Sequence, residues 1–248
     1  MHLENASWIE AAVASIAQWE PGFPRQVFPA TAHEVEELER LRAAGAPMPA
    51  VYRDFLSRMG HGLAMPALPA ARYDIGDIVA RYRHGYLPPP GFWMLGRAHS
   101  DPYFDVYLFS PTGAESRVVS MPPPPPQGGP EFAAFARRTM LMLAGNLPQW
   151  LCAAALRQYR FPQFPAQWVG SSAQPGARKL AACDSMLVQA GFSPYWFSDD
   201  WQRIYEAPGR RGLVFVTEFP GMHTAALLRM VNDDALQSLR PAVELALR

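Results

Sequence analysis

Residues 31–62 read TAHEVEELERLRAAGAPMPAVYRDFLSRMGHG, and the fold turns on how this stretch is parsed. Thr31 with Glu34 three residues on forms a capping box, in which hydroxyl and carboxylate each satisfy a backbone N–H left unpaired by the first turn of a helix. Val35, Leu38 and Leu41 then follow one helical face, and Gly45 suits the left-handed position that ends a helix. Pro49 fits the first turn of a second helix, where its missing N–H is not needed. Tyr52, Phe55, Leu56 and Met59 stand at i, i+3, i+4 and i+7, so they share one buried face. Gly60 and Gly62 stop that helix and turn the chain. The spacing predicts two packed helices ahead of a strand pair and, by itself, no chemistry.

The strand pair follows at 92–109, FWMLGRAHSDPYFDVYLF. Before it, Ile75, Ile78, Val79 and Tyr82 repeat at helical spacing over 74–84, and LPPPG at 87–91 stops that helix. Phe92 to Leu95 is a compact apolar run. Residues 103–109 alternate: Phe104, Val106 and Leu108 make one apolar face, and Tyr103, Asp105, Tyr107 and Phe109 make the other. The first set is expected to face the core. The second is aromatic with one carboxylate, an unusual composition for a solvated face. A third strand is expected at 117–121.

An acidic amphipathic helix, a small-residue turn with Pro49, a Tyr52–Phe55–Leu56 helix and a Gly60/Gly62 exit together resemble the SUKH superfamily. The resemblance continues through 75–82 into the 92–109 strands, so it covers roughly residues 30–110. Met48-Pro49 stands where the family usually has Leu-Pro, and Ser100-Asp101 where it often has Gly-Asp. The superfamily includes the yeast cell-wall synthesis regulators and many bacterial toxin-immunity proteins. The resemblance implies an α+β fold with helices packed on an antiparallel sheet, and a protein that works by binding another protein.

Composition narrows the function classes. At 49% hydrophobic and 18% charged, a chain of 248 residues can bury a substantial core. Its 22 basic and 22 acidic residues cancel, which argues against a general nucleic-acid binder with a concentrated basic surface. Cys152 and Cys183 are two thiols far apart in sequence, too few for a disulfide framework or a metal cluster, and are expected to be buried small hydrophobes. The apolar stretch at 139–156 is interrupted by Gly145, Asn146 and Pro148, which is wrong for a membrane span. The N-terminus has acidic residues and no continuous apolar segment, so it does not read as a secretory signal. A cytoplasmic protein is expected.

The remaining chain is punctuated by proline. Asn5 is placed to cap a first helix along Ile9, Ala12, Val13 and Ile16, and residues 20–30 connect it to the pair above. Five prolines at 122–126 favour an extended spacer that cannot join a sheet interior. A helix is expected from Pro130 through Phe132, Phe135, Met140 and Leu143 to Gly145, and a shorter one over 148–157. Residues 160–176, RFPQFPAQWVGSSAQPG, read as a linker. Beyond it, a helix through Leu180, Cys183 and Leu187, strands at 194–198, 202–206, 213–219 and 222–231, and a helix at 233–247 form a C-terminal α-β-β-β-β-α lobe. The expected organisation is an N-terminal helix and connector at 1–30, a SUKH-like domain at 31–159, a linker at 160–176 and a small α+β lobe at 177–248.

Motifs for chemistry are missing. The six histidines are scattered without His-x3-His spacing, and there is no nucleophile elbow, P-loop or dinucleotide fingerprint. No catalytic residue, metal ligand or cofactor is expected. Trp93, His99, Asp101, Tyr103, Asp105 and Tyr107 are the candidate contact residues, because tyrosine and tryptophan combine large contact area with a polar tip. If that face is exposed, truncating Tyr103 or Tyr107 weakens binding and leaves the fold intact. The resemblance implies an immunity protein whose partner is a cognate toxin encoded by an adjacent gene, with no role for nucleic acid or membrane. A regulatory scaffold of the same superfamily and an enzyme with its site between the two lobes remain as alternatives.

Overall fold

The expected capping box at Thr31 and Glu34 forms. Thr31 Oγ1 accepts from the Glu34 N–H at 3.2 Å, and Glu34 Oε2 accepts from the Thr31 N–H at 2.8 Å. This structure is a computed structural model describing residues 7–42, 47–65, 67–68, 71–98, 104–111, 116–125, 130–172, 178–219 and 223–248. The chain divides into two compact units, Met1–Ala155 and Leu156–Arg248. Among the described residues it is α+β, with eight α-helices and two antiparallel five-stranded sheets.

Unit 1 runs α1 (Trp8–Ala17), α2 (Ala32–Leu41), α3 (Ala50–Met59), β1 (Ala71–Arg72), α4 (Ile75–Arg83), β2 (Phe92–Ala98), β3 (Asp105–Phe109), β4 (Arg117–Met121), α5 (Pro130–Thr139), β5 (Leu141–Ala144) and α6 (Leu147–Ala155). Each strand pairs with the next, giving the order β1-β2-β3-β4-β5. α1 buries Ile9, Ala12, Val13 and Ile16, and α3 buries Tyr52, Phe55, Leu56 and Met59, as their spacing predicts. Pro49 stands at the N-cap of α3 and Gly60 closes it. Gly60 has no room for a side chain: an ideal Cβ there would lie 2.6 Å from the Ala30 backbone nitrogen. Asp74 caps α4, its Oδ1 accepting from the Gly76 N–H at 2.9 Å. Asn5 and Gly45 lie outside the described residues.

β3 is the middle strand, and Asp105, Val106, Tyr107 and Leu108 are all buried. Both faces of the strand are therefore interior over Asp105–Leu108. The single helix expected over 130–145 is also corrected. α5 ends at Thr139, and Leu141–Ala144 is β5, paired with β4 through Val118, Val119 and Ser120. A short apolar run fits either period, so the spacing of Met140 and Leu143 could not separate the two. Pro122 to Pro125 carry no regular secondary structure, and Pro126 lies outside the described residues.

Unit 2 starts earlier than the sequence suggests. Leu156–Arg160 is a π-helical turn and Phe161–Gln163 a 3-10 turn. They lead into β6 (Ala166–Ser171), which pairs with β10 from Ala166↔Met230 to Ser171↔Ala225. Most of the expected 160–176 linker is thus ordered structure, because alternation at Ala166, Trp168 and Gly170 fits a half-buried strand despite nearby prolines. Residues 173–177 lie outside the described set. Then follow α7 (Arg178–Gln189), β7 (Ser193–Pro194), β8 (Gln202–Glu206), β9 (Gly212–Phe219), β10 (His223–Met230) and α8 (Asp233–Leu247), with sheet order β6-β10-β9-β8-β7. The lobe is β-α-β-β-β-β-α, and the strand expected at 194–198 shrinks to Ser193–Pro194. Its core joins Tyr205, Val214, Val216 and Leu228 to Cys183 and Leu187 of α7 and Leu236 and Val243 of α8. α8 continues through Pro241. Cys152 and Cys183 are both free and buried.

Candidate functional site

The six residues singled out in the sequence divide. His99, Asp101 and Tyr103 lie outside the described residues. Trp93, Asp105 and Tyr107 are buried in unit 1, so the expectation that they form an exposed face is corrected. Around them, the tyrosine hydroxyls and the Asp105 carboxylate find hydrogen-bond partners inside the unit. Tyr52 Oη of α3 donates to the Met94 carbonyl at 2.6 Å, and the Met94 N–H donates to Tyr82 Oη of α4 at 3.1 Å. Asp105 Oδ1 accepts from the Ala98 N–H at 2.9 Å, Tyr107 Oη donates to Asp105 Oδ2 at 3.2 Å, and Arg81 Nη2 stands 3.8 Å from the same oxygen. Burial pushes the Asp105 carboxyl above its usual range, against the pull of the Ala98 amide and Arg81. Arg42 is buried too; it donates to the Pro89 carbonyl at 2.6 Å and sits 5.9 Å from the Trp93 ring. Polar groups bonded in this way are tolerated inside a protein. Aromatic side chains with polar tips therefore suit this core as well as they suit an interface.

A cluster that sequence reasoning missed lies where α2, α3 and α4 meet. His61 Nδ1 is 2.9 Å from Asp74 Oδ2, and His61 Nε2 is 3.2 Å from Glu34 Oε2. Glu34 is the capping-box carboxylate and Asp74 the N-cap of α4, so one imidazole ties two helix starts to the exit of α3. The only signal was positional: a histidine between Gly60 and Gly62, with acids at two helix N-termini. Partial burial on its own would lower the His61 pKa, but the bonds and charges of Asp74 and Glu34 raise it overall. Partial burial would likewise raise the Glu34 pKa, but bonds from Thr31 and His61 lower it overall.

The sign of the pH effect follows. A raised histidine pKa contributes stability that is fully present below the unfolded value of about 6.5 and lost as pH rises through the folded one. A lowered carboxylate pKa contributes stability present above about 4.3 and lost as pH falls through the folded value. The clasp is expected to be strongest between those two unfolded values. The urea midpoint of the wild type should therefore fall between pH 6 and 8.5 by more than that of His61→Gln. Parallel curves for the two proteins over that range would contradict this account of the clasp.

Unit 2 contains a cavity of about 570 Å³ beside Trp168, Ser172, Lys179 and Glu244. Two of its charged groups are engaged: Lys179 Nζ donates to the Leu247 carbonyl at 3.0 Å, and Glu244 Oε1 accepts from Arg240 Nε at 2.6 Å. Among the described residues, no group of three or more histidine, cysteine, aspartate or glutamate side chains could hold a metal ion. No helix among them is long and apolar enough to cross a membrane.

What stays exposed in unit 1 is elsewhere. Phe135 on α5 and Leu141 on β5 are 41% and 56% exposed, among the most exposed large apolar side chains of the unit. Phe132 lies beside Phe135, ring centres 6.2 Å apart. Arg137 and Arg138 occupy the last turn of the same helix. Aromatic side chains and arginine are residue types enriched at protein interfaces. No protein-family model, curated protein or solved structure matches this chain.

Proposed function

We propose that this chain is a SUKH-type immunity protein, which neutralises a cognate bacterial toxin in the cytoplasm by binding it and performs no chemistry of its own. One observation carries the reading. The residues behind the resemblance are among those that build unit 1: the Thr31/Glu34 box, the α3 face of Tyr52, Phe55 and Leu56, the Gly60 exit, and the β2–β3 pair. Trp93 and Tyr107 serve that framework from inside. Contact with the toxin then falls to surface residues, Phe135 and Leu141 first among them. Inhibition is steric: the bound protein covers the toxin's active site or the path of its substrate.

The test is co-expression with the product of the adjacent gene in a sensitive bacterium, followed by co-purification. Survival together with a complex is the expected result. Survival without any complex would point to an enzyme that reverses the toxin's damage. Death with no complex, for each neighbouring gene product, overturns the reading.

A further inference from the structure

β5 is the outermost strand of its sheet and is paired on one side only, with β4. Among the described residues, Leu141–Ala144 make no backbone–backbone hydrogen bond outside that ladder. A free edge is a template for a strand from another chain, and proteins usually blunt such edges with charge or proline. β5 reads LMLA and carries neither. The opposite edge differs: β1 is two residues long, and its Arg72 pairs with Asp77 at 3.6 Å.

Arginines outnumber acids in the sequence around β5: from residue 115 to 155 the chain has Arg117, Arg137 and Arg138 against Glu115 and Glu131. Elsewhere in unit 1, Arg53 pairs with Glu39, Arg58 with Glu10 and Arg83 with Glu37, while exposed Arg25 and Arg97 form no salt bridge among the described residues. Arg117, Arg137 and Arg138 form no ion pair among the described residues. An exposed apolar edge, bordered by arginines that lack a carboxylate, is complementary to one kind of partner.

We propose that β5 accepts an extended acidic segment of a protein partner as a sixth strand of the sheet. Main-chain hydrogen bonds to Leu141–Ala144 supply affinity, as in other strand additions. Apolar side chains of the segment cover Leu141 and Phe135, and its carboxylates meet Arg137 and Arg138. The inference rests on the binding function proposed above and names the chemistry of the partner at the contact.

The experiment uses the full chain and the purified toxin encoded beside its gene. Hydrogen exchange should slow at the amides of 141–144 when the complex forms, while those of β6, the outer strand of the other sheet, stay unchanged. Leu141→Asp and Phe135→Asp change exposed side chains and should leave the melting temperature near wild type while weakening affinity at least tenfold. Arg137→Glu with Arg138→Glu should weaken affinity and flatten its dependence on salt, because fewer opposite charges remain to be screened. A complex that forms with unchanged exchange at 141–144 overturns this inference and leaves the binding function standing. If no complex forms at all, the binding function fails and the inference falls with it.

Discussion

Tyr107→Ala is expected to cost about 3–5 kcal/mol of stability, the range for deleting a fully buried large aromatic side chain. Tyr107 has no exposed surface. Its ring meets Phe92 edge-on, with centres 6.4 Å apart, and it lies opposite Met94 on β2 and Val119 on β4. Truncation leaves a cavity in the middle of the sheet. It also removes the hydroxyl that donates to Asp105, leaving that buried carboxylate with the Ala98 amide and a more distant Arg81. Domains of this kind are stable by roughly 5–15 kcal/mol, so the loss is a large share of the whole. Tyr107→Phe keeps the ring and removes only the hydrogen bond, and is expected to cost about 1–3 kcal/mol. Urea denaturation of both variants checks the pair. An unchanged midpoint in Tyr107→Ala would show that the side chain is on the surface.

Phe55→Ala is expected to cost a similar amount, about 3–5 kcal/mol. Phe55 is buried on α3 beside Tyr52, ring centres 6.3 Å apart, and Tyr52 in turn stands 6.3 Å from Trp93. The deletion therefore loosens the contact between α3 and β2 as well as removing transfer energy. Ser57→Ala is the control. Ser57 lies on the exposed side of the same helix and only bonds back to the Asp54 carbonyl, and surface substitutions of that kind usually change stability by less than about 0.5 kcal/mol. Equal midpoints for Phe55→Ala and Ser57→Ala would mean that the buried face of α3 is wrongly assigned.

What the sequence revealed and what it hid have the same physical origin. Helices announced themselves because a period near 3.6 and a cap are local: Thr31/Glu34, the α3 face and the α4 face could each be read within a dozen residues. The class, helices with antiparallel sheets, was legible for that reason. Strand neighbours are not local. Whether Asp105 and Tyr107 meet water depends on Arg81, Tyr82 and β4, which lie 12 or more residues away in the chain. The alternation at 103–109 suggested one open face, and the central position of β3 closed both. β6 was hidden for a related reason, since its pairing partner β10 lies some sixty residues further on, among turn residues that dominate the local pattern. The Glu34–His61–Asp74 cluster could not be read from spacing, because three separate helix ends bring it together.

Inhibition by stoichiometric binding is distinguished from catalysis by a titration. Purified chain is added to a fixed amount of the purified adjacent-gene toxin, and toxin activity is followed to completion. Activity is expected to fall linearly and to be abolished at a fixed molar ratio, with a complex of the same ratio on gel filtration. Full protection by a small fraction of that amount, increasing with time of incubation, would mean that the chain turns over and would contradict stoichiometric inhibition.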